Sequence, residues 1–320
     1  MNSEEKKWFE ISEVSTNHPW HFRFMLAIAK YLPRWIVLAI TAIISFFFFL
    51  GAKAINQNSS TYFKKLGKIN GKKYTWFDNY KHILCFSISM MERLYCFMGH
   101  GTLNDLQCFD DTHELEERLK SGKGALILCS HEGNMESFRS LKKNGPNNLP
   151  DEMKIVPVAD YSGTSHFNNL LRELDPDLMN NIIDANSIGP DTVIYIKNIV
   201  EHCGIVIIAA DRISANTKNR TTEVDFLGEK ALLPEGAFTL ASIIGVPIFM
   251  GFGIRKKDFS LNSTYELHLH KLKTQFPCSR SERKDRIQNL AQEYANLEAK
   301  YCLKHPYQWY NFFNFWKKSV

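Results

Sequence analysis

An α/β fold, a central mixed but mostly parallel sheet flanked by helices behind an N-terminal membrane helix, is what this sequence predicts. Three observations carry that reading. After residue 122 short, continuous apolar runs alternate with helical stretches. Near the N-terminus lies one uncharged run of membrane-helix length. The composition, 44% apolar and 23% charged, is that of an ordinary folded domain and excludes disordered and collagen-like classes. With 320 residues the chain can form one large domain or two modest ones. Its net charge of +5, from 39 Lys and Arg against 34 Asp and Glu, is too thin for a dedicated nucleic-acid binder. The seven cysteines are odd in number and show no CxxC or other metal-ligand spacing. They read as reduced, buried thiols of a cytoplasmic domain.

The uncharged run is WIVLAITAIISFFFFLGA, residues 35–52, in which Thr41 and Ser45 are the polar positions. At about 1.5 Å per residue a helix of this length just matches a bilayer core of roughly 30 Å. It begins too far from the N-terminus for a signal peptide, and a buried core helix is the competing reading. Lys53, Lys64, Lys65, Lys68, Lys72 and Lys73 follow it with no acidic residue among them, whereas the preceding segment mixes its basic residues with Glu4, Glu5, Glu10 and Glu13. The positive-inside rule then places the long C-terminal part in the cytoplasm. The same lysines, interleaved with Tyr62, Phe63, Tyr74 and Trp76, suit either anionic headgroups or plain solvent.

Helical spacing of Ile83, Phe86, Met90, Leu94 and Phe97 predicts an amphipathic helix over 78–97. The runs 124–130, 154–160, 204–211 and 246–254 are apolar throughout, as strands covered on both faces are, while 264–272 alternates like a more exposed strand. Between them 191–203 and 234–245 read as helices opening at Asp191 and Pro234, and 281–304 as a long packed helix.

Chemistry is concentrated in Cys129-Ser130-His131-Glu132-Gly133-Asn134-Met135-Glu136, directly after the first apolar strand. A strand that stops at a polar, Gly-containing turn displays side chains at the carboxyl edge of the sheet, where α/β ligand sites form. His131 is the candidate general base, since imidazole alone titrates near neutrality unperturbed. Glu136, reaching back from the following helix, is the candidate acceptor that fixes its tautomer. Zinc chemistry of the HExxH type fails at Met135. A Cys129 or Ser130 nucleophile beside His131 has poor geometry, because adjacent residues of an extended chain point apart. His131 and Glu136 as merely satisfied turn residues is the alternative these eight residues leave open. Asp211 and Arg212 end the 204–211 strand at the same edge. Arg212 or Arg220 could clamp a phosphate, with a solvated loop as the other reading.

His131-x4-Glu136 after a membrane anchor and an apolar strand resembles the motif of the lysophospholipid acyltransferase superfamily, and HEGNME resembles the HxGNWE form of its lipid A late acyltransferase branch. Met135 replaces the usual Trp and Glu132 a residue usually uncharged. Phe226-Leu227-Gly228, Ala231, Pro234, Gly236-Ala237, Leu240-Ala241 and Gly245-Val246-Pro247 are similar to that branch's FxG…PxGPxxLA…GxP block, so the likeness covers roughly 20–318. The resemblance implies transfer of a fatty acyl group from an acyl carrier protein or coenzyme A thioester to a hydroxyl of a lipid or glycolipid, such as a lipid A precursor, at the inner membrane's cytoplasmic side. It implies catalytic roles for His131, Glu136 and Asp211 and no metal or further cofactor. For substrate binding the candidates are Arg212, Arg220 and the Gly133 and Asn134 amides as oxyanion donors.

The expected organisation is an N-terminal segment 1–34, an anchor helix 35–55, a basic juxtamembrane segment with the amphipathic helix at 56–100, and the catalytic domain at 101–320. A catalytically silent lipid-binding protein and a lipid hydrolase or thioesterase on the same fold are the rival functions. The aromatic C-terminus, HPYQWYNFFNFW, reads as a membrane contact, an acyl-pocket wall or core, and its wording suggests a side branch with a specialised lipid acceptor.

Overall fold

The computed structural model describes residues 20–99, 106–141, 150, 153–159, 173–174, 181–213 and 220–316. Its seven-stranded sheet runs in the order β1-β9-β8-β2-β5-β3-β4. The strands are β1 (Gln107–Asp110), β2 (Ala125–Gly133), β3 (Lys154–Ala159), β4 (Ile183–Asp184), β5 (Gly204–Ala209), β8 (Ile248–Arg255) and β9 (Tyr265–Lys271). Only the β8–β9 pair is antiparallel among these neighbours. A separate hairpin joins β6 (Thr221–Phe226) to β7 (Glu229–Pro234). Its two-residue turn has Leu227 and Gly228 both at positive φ, the geometry that matches strand twist.

The central strands are apolar at every position because both faces are covered. Leu126, Leu128, Val206, Ile208 and Met250 meet the side of α7 (Glu235–Ile244) and α8 (Arg283–Lys304). Ile127, Cys129, Ile205, Ile207 and Phe249 meet Leu115 and Leu119 of α5 (Thr112–Lys120) and Phe138. The helix α6 (Pro190–Glu201) feeds Ile196 and Val200 to the first of these cores. Cutting a side chain such as Leu126 back to Ala in so close-packed an interior costs roughly 2–5 kcal/mol.

Among the described residues four helices precede the sheet: α1 (Trp20–Tyr31), α2 (Arg34–Gly51), α3 (Lys53–Asn70) and α4 (Trp76–Phe97). The described residues contain one helix long and apolar enough to cross a membrane, and it is α2. Its buried stripe, Val37, Thr41, Ser45 and Phe49, is spaced at i, i+4, so its two polar side chains face protein. The helix is docked along α4 at both ends. At one end Arg34 Nη1 donates to Asn262 Oδ1 at 2.9 Å and the guanidinium lies over the Tyr95 ring. At the other Phe49 stacks on Trp76 and Tyr80 Oη donates to the Ala42 carbonyl. Trp35, Phe47 and Leu50 face outward, each more than 60% exposed.

The stretch after α2 is a full helix, α3, seated on the domain through Tyr62, Phe63, Lys65 and Leu66. Lys65 pairs with Glu229 at 2.5 Å and lies over the Trp316 ring, so this lysine belongs to the packing rather than to solvent. The aromatic C-terminus is core as well: Gln308, Trp309, Tyr310, Asn311 and Phe315 are buried. It crosses the end of β2 as a strap, with Glu132 bridged to Trp309.

Candidate active site

The end of β2 is irregular. Cys129 lies opposite Gly251 and Gly133 opposite Gly253, so four steps along β2 face two along β8, and the surplus at Ser130–Glu132 bulges. A bulge bends its strand and re-aims side chains. The sequence places the strand's end before His131; instead β2 carries His131 and continues through Gly133. Gly133 is there at φ +74, and a Cβ on it would sit 2.1 Å from the Gly253 carbonyl oxygen, so only glycine fits. Asn134 Oδ1 then accepts from the Glu136 amide at 3.0 Å and starts a short 3-10 turn, Met135–Ser140.

His131 stands on this bulge with its side chain 23% exposed. Its Nδ1 lies 2.7 Å from Asp211 Oδ1, and its backbone amide donates to Asp211 Oδ2 at 3.0 Å. Asp211 follows β5, whose pairing with β2 in register Cys129 to Ala209 brings positions 80 residues apart in sequence together. The carboxylate accepts a further bond from Asn311 Nδ2 of the C-terminal strap at 2.8 Å. Burial would raise its pKa, but the His131 ring and amide and the Arg212 charge overcome that and hold it down at about 2. An ionised Asp211 can only accept, so Nδ1 carries the proton and Nε2 presents the lone pair. Burial and the nearby Arg212 and Arg93 charges lower the His131 pKa against the pull of Asp211, which favours the neutral ring.

The sequence expects Glu136 to orient that ring, and the structure gives the position to Asp211. Glu136 leaves the bulge on the 3-10 turn and receives Arg93 Nε of α4 at 3.1 Å. The oxyanion donors expected at Gly133 and Asn134 are also engaged elsewhere. The Gly133 amide donates to the Gln308 carbonyl at 2.9 Å and the Asn134 amide to the Gly253 carbonyl at 2.8 Å. Both residues hold the bulge against β8 and the strap. Arg212, the candidate phosphate clamp, contacts the C-terminal strap. It donates from Nε to Asn311 Oδ1 at 2.9 Å and from Nη2 to the Tyr310 carbonyl at 2.7 Å, tying down the strap that supports Asp211. Arg220 is exposed at the start of the β6–β7 hairpin, where its carbonyl accepts from the Glu235 amide.

Sequence reading overlooked Arg93 and Asn311. No local pattern marks either, because each reaches the site from a distant element.

Behind the bulge, Glu132 faces α8, where it meets Glu298 and Cys302 with ligand-type atoms within 4.8 Å of one another. Burial pushes both carboxyls well above the usual range, with the Glu298 charge adding to the rise at Glu132 and the Asp211 charge to that at Glu298.

An imidazole backed by a buried aspartate at the carboxyl edge of a parallel sheet is a general-base arrangement. Residues 20–318 match the bacterial lipid A biosynthesis acyltransferase family. The chain belongs to that family. It is an acyltransferase, and the family match extends from α1 to the C-terminal strap. No curated protein matches the chain. Members of lipid A acyltransferase families act on lipid, and the outward apolar face of α2 suits membrane association.

Proposed function

We propose that this acyltransferase moves a fatty acyl group from an acyl carrier protein or coenzyme A thioester to a hydroxyl of a lipid acceptor, with a lipid A precursor as the default. The observation that carries this reading is the His131–Asp211 pair, whose ring is held at Nδ1 and has no hydrogen-bond partner at Nε2 among the described residues. Nε2 takes the acceptor's hydroxyl proton as the oxygen attacks the thioester carbonyl carbon. The C–S bond then breaks, the thiolate leaves, and the imidazolium returns the proton to it. Asp211 holds the ring and stabilises its cationic form, so no acyl-enzyme is required. Arg93, oriented by Glu136 and close enough to lower the His131 pKa, is the cation that meets the developing oxyanion.

The apolar face of α2 supports a seat in the inner membrane, and the lysines that follow it support the cytoplasmic side, where this edge of the sheet would meet acceptor lipid. Because the His131 pKa lies below its ordinary value, the acid limb of the rate profile falls below pH ~6.5.

Lipid mass spectrometry of cells carrying the wild-type chain or His131→Ala is the direct test. A species heavier by one acyl group that depends on His131 names both the acceptor and the chain length. Free fatty acid without such a species would make the protein a hydrolase. Identical lipidomes would sink the transfer reading.

A further inference from the structure

We propose that the cleft between α3 and the first turns of α4 is a binding site for an anionic phospholipid headgroup that carries a hydroxyl, separate from the reaction centre. The cavity measures about 460 Å³ and is lined by Lys64, Lys68, Lys72, Ser60, Trp76 and Asn79. Among the described residues none of these three lysines has a carboxylate within 4.0 Å, unlike Lys65 on the same helix, which is committed to Glu229. Three ammonium groups around one concavity, with Glu229 as the carboxylate whose pKa Lys64 and Lys68 help to lower, leave an excess of positive charge that calls for an anion with several oxygens.

The shape is built rather than incidental. Gly71, at φ +71, ends α3 and turns the chain back so that the Lys72 carbonyl approaches Gly67, where a Cβ would lie 2.7 Å from it. That turn holds Lys72 across from Lys64 and Lys68. At the other wall Asn79 is 4% exposed, and its Nδ2 donates to Ser60 Oγ at 2.7 Å. Its Oδ1 has no hydrogen-bond partner. A buried acceptor without a donor is costly, and a ligand hydroxyl would satisfy it.

The location selects the source of the phosphate. Trp76 is 65% exposed and stacks on Phe49 at the last turns of α2, beside outward-facing Phe47, Phe48 and Leu50. A tryptophan between a lysine cleft and an apolar helix end is the arrangement found at headgroup depth. The ligand chemistry is thus a phosphodiester with a glycerol-type hydroxyl, anchored by acyl chains that lie along α2. This rests on the membrane placement of α2 proposed above. Flotation of the full chain with neutral phosphatidylcholine vesicles tests that placement by itself.

The site is tested on detergent-solubilised full-length protein with short-chain phosphatidylglycerol and with phosphatidylcholine of the same chains, by thermophoresis. Phosphatidylglycerol should bind preferentially, and the combined Lys64→Ala, Lys68→Ala, Lys72→Ala variant should lose about 100-fold in affinity at low salt. The corresponding Lys→Arg triple should keep binding, and both variants should retain wild-type melting and His131-dependent transfer in detergent. Equal binding of the two lipids, or unchanged affinity in the alanine variant, overturns the proposal. So does inorganic phosphate that competes as well as the lipid, which would make this a free-phosphate site. Loss of acyl carrier protein binding in the alanine variant, with phosphatidylglycerol binding intact, would equally overturn it in favour of a protein dock.

Discussion

His131 and His82 are both imidazoles packed into the protein, and their surroundings give them opposite uses. His82 is fully buried between α3, α4 and the strap. Its Nε2 lies 2.6 Å from the Trp309 carbonyl and its Nδ1 3.1 Å from Ser59 Oγ. A carbonyl only accepts, so Nε2 carries the proton, Nδ1 accepts from the hydroxyl, and both nitrogens are engaged. Burial lowers its pKa to about 4, against the Trp309 bond. His131 faces a carboxylate on one side and is partly exposed on the other. A ring tied at one nitrogen by an ionised acid can cycle a proton, whereas a ring tied at both to neutral groups is a strut. Partner chemistry, more than burial, distinguishes the two rings: an ionised acid at one nitrogen of His131 against neutral groups at both nitrogens of His82.

The largest effects should fall on the base. His131→Ala and Asp211→Asn should each reduce transfer by about 10²- to 10⁴-fold, with melting close to wild type. Wild-type turnover in either would remove the distinction drawn above.

Next comes the polar knot that carries α4. Arg255, 1% exposed, donates from Nη1 to Glu92 at 2.9 Å and from Nη2 to Tyr310 Oη and the Cys85 carbonyl. Tyr265 Oη also donates to Glu92 and accepts from Asn134 Nδ2, which links the knot to the bulge. Glu92→Ala would strand a buried guanidinium and cost about 3–5 kcal/mol of stability in urea denaturation. Loss of transfer in that variant should track the loss of folded protein.

His82 itself predicts a pH signature. The unfolded ring takes its proton near 6.5 and the folded one near 4, so between these values the unfolded chain binds the extra proton. Stability is full above pH ~6.5 and falls as pH drops toward 4, by about 3 kcal/mol for this group. His82→Gln should flatten that part of a melting-versus-pH curve while leaving the acid limb of transfer in place. The smallest effect is Ser59→Ala, which leaves Nδ1 of His82 unpaired. We expect about 1–3 kcal/mol of destabilisation by calorimetry with the transfer rate of the folded enzyme unchanged.

Legibility in the sequence followed the range of the interaction. The strands at 125–133, 154–159, 204–209, 248–255 and 265–271 match the apolar runs to within a few residues, α2 matches the uncharged run, and α4 and α8 match their periodic patterns. The β1 strand and α5 were missed because QCFD is too short and too polar to stand out. The β6–β7 hairpin was visible only as a family motif, since TTEVDF carries four polar positions among its six. At the site, His131 and Asp211 were legible from position at strand ends. Their partnership was not, because it depends on which strands are neighbours.

Alternation of apolar strands with helices, the uncharged run of α2 and the His131 motif are local properties of the chain, governed by side-chain burial and helix geometry within a few residues. They determined the fold class, an apolar helix of membrane-spanning length and an imidazole at a strand end. Strand order, the bulge at Ser130–Glu132 and the strap over β2 were decided by tertiary packing alone. That packing put Asp211 rather than Glu136 on Nδ1, engaged the Gly133 and Asn134 amides, and turned Arg212 inward. The reason is that a hydrogen bond is set by a few ångströms and an angle, while sequence spacing constrains position only as far as the local backbone is regular. At a bulge that regularity ends.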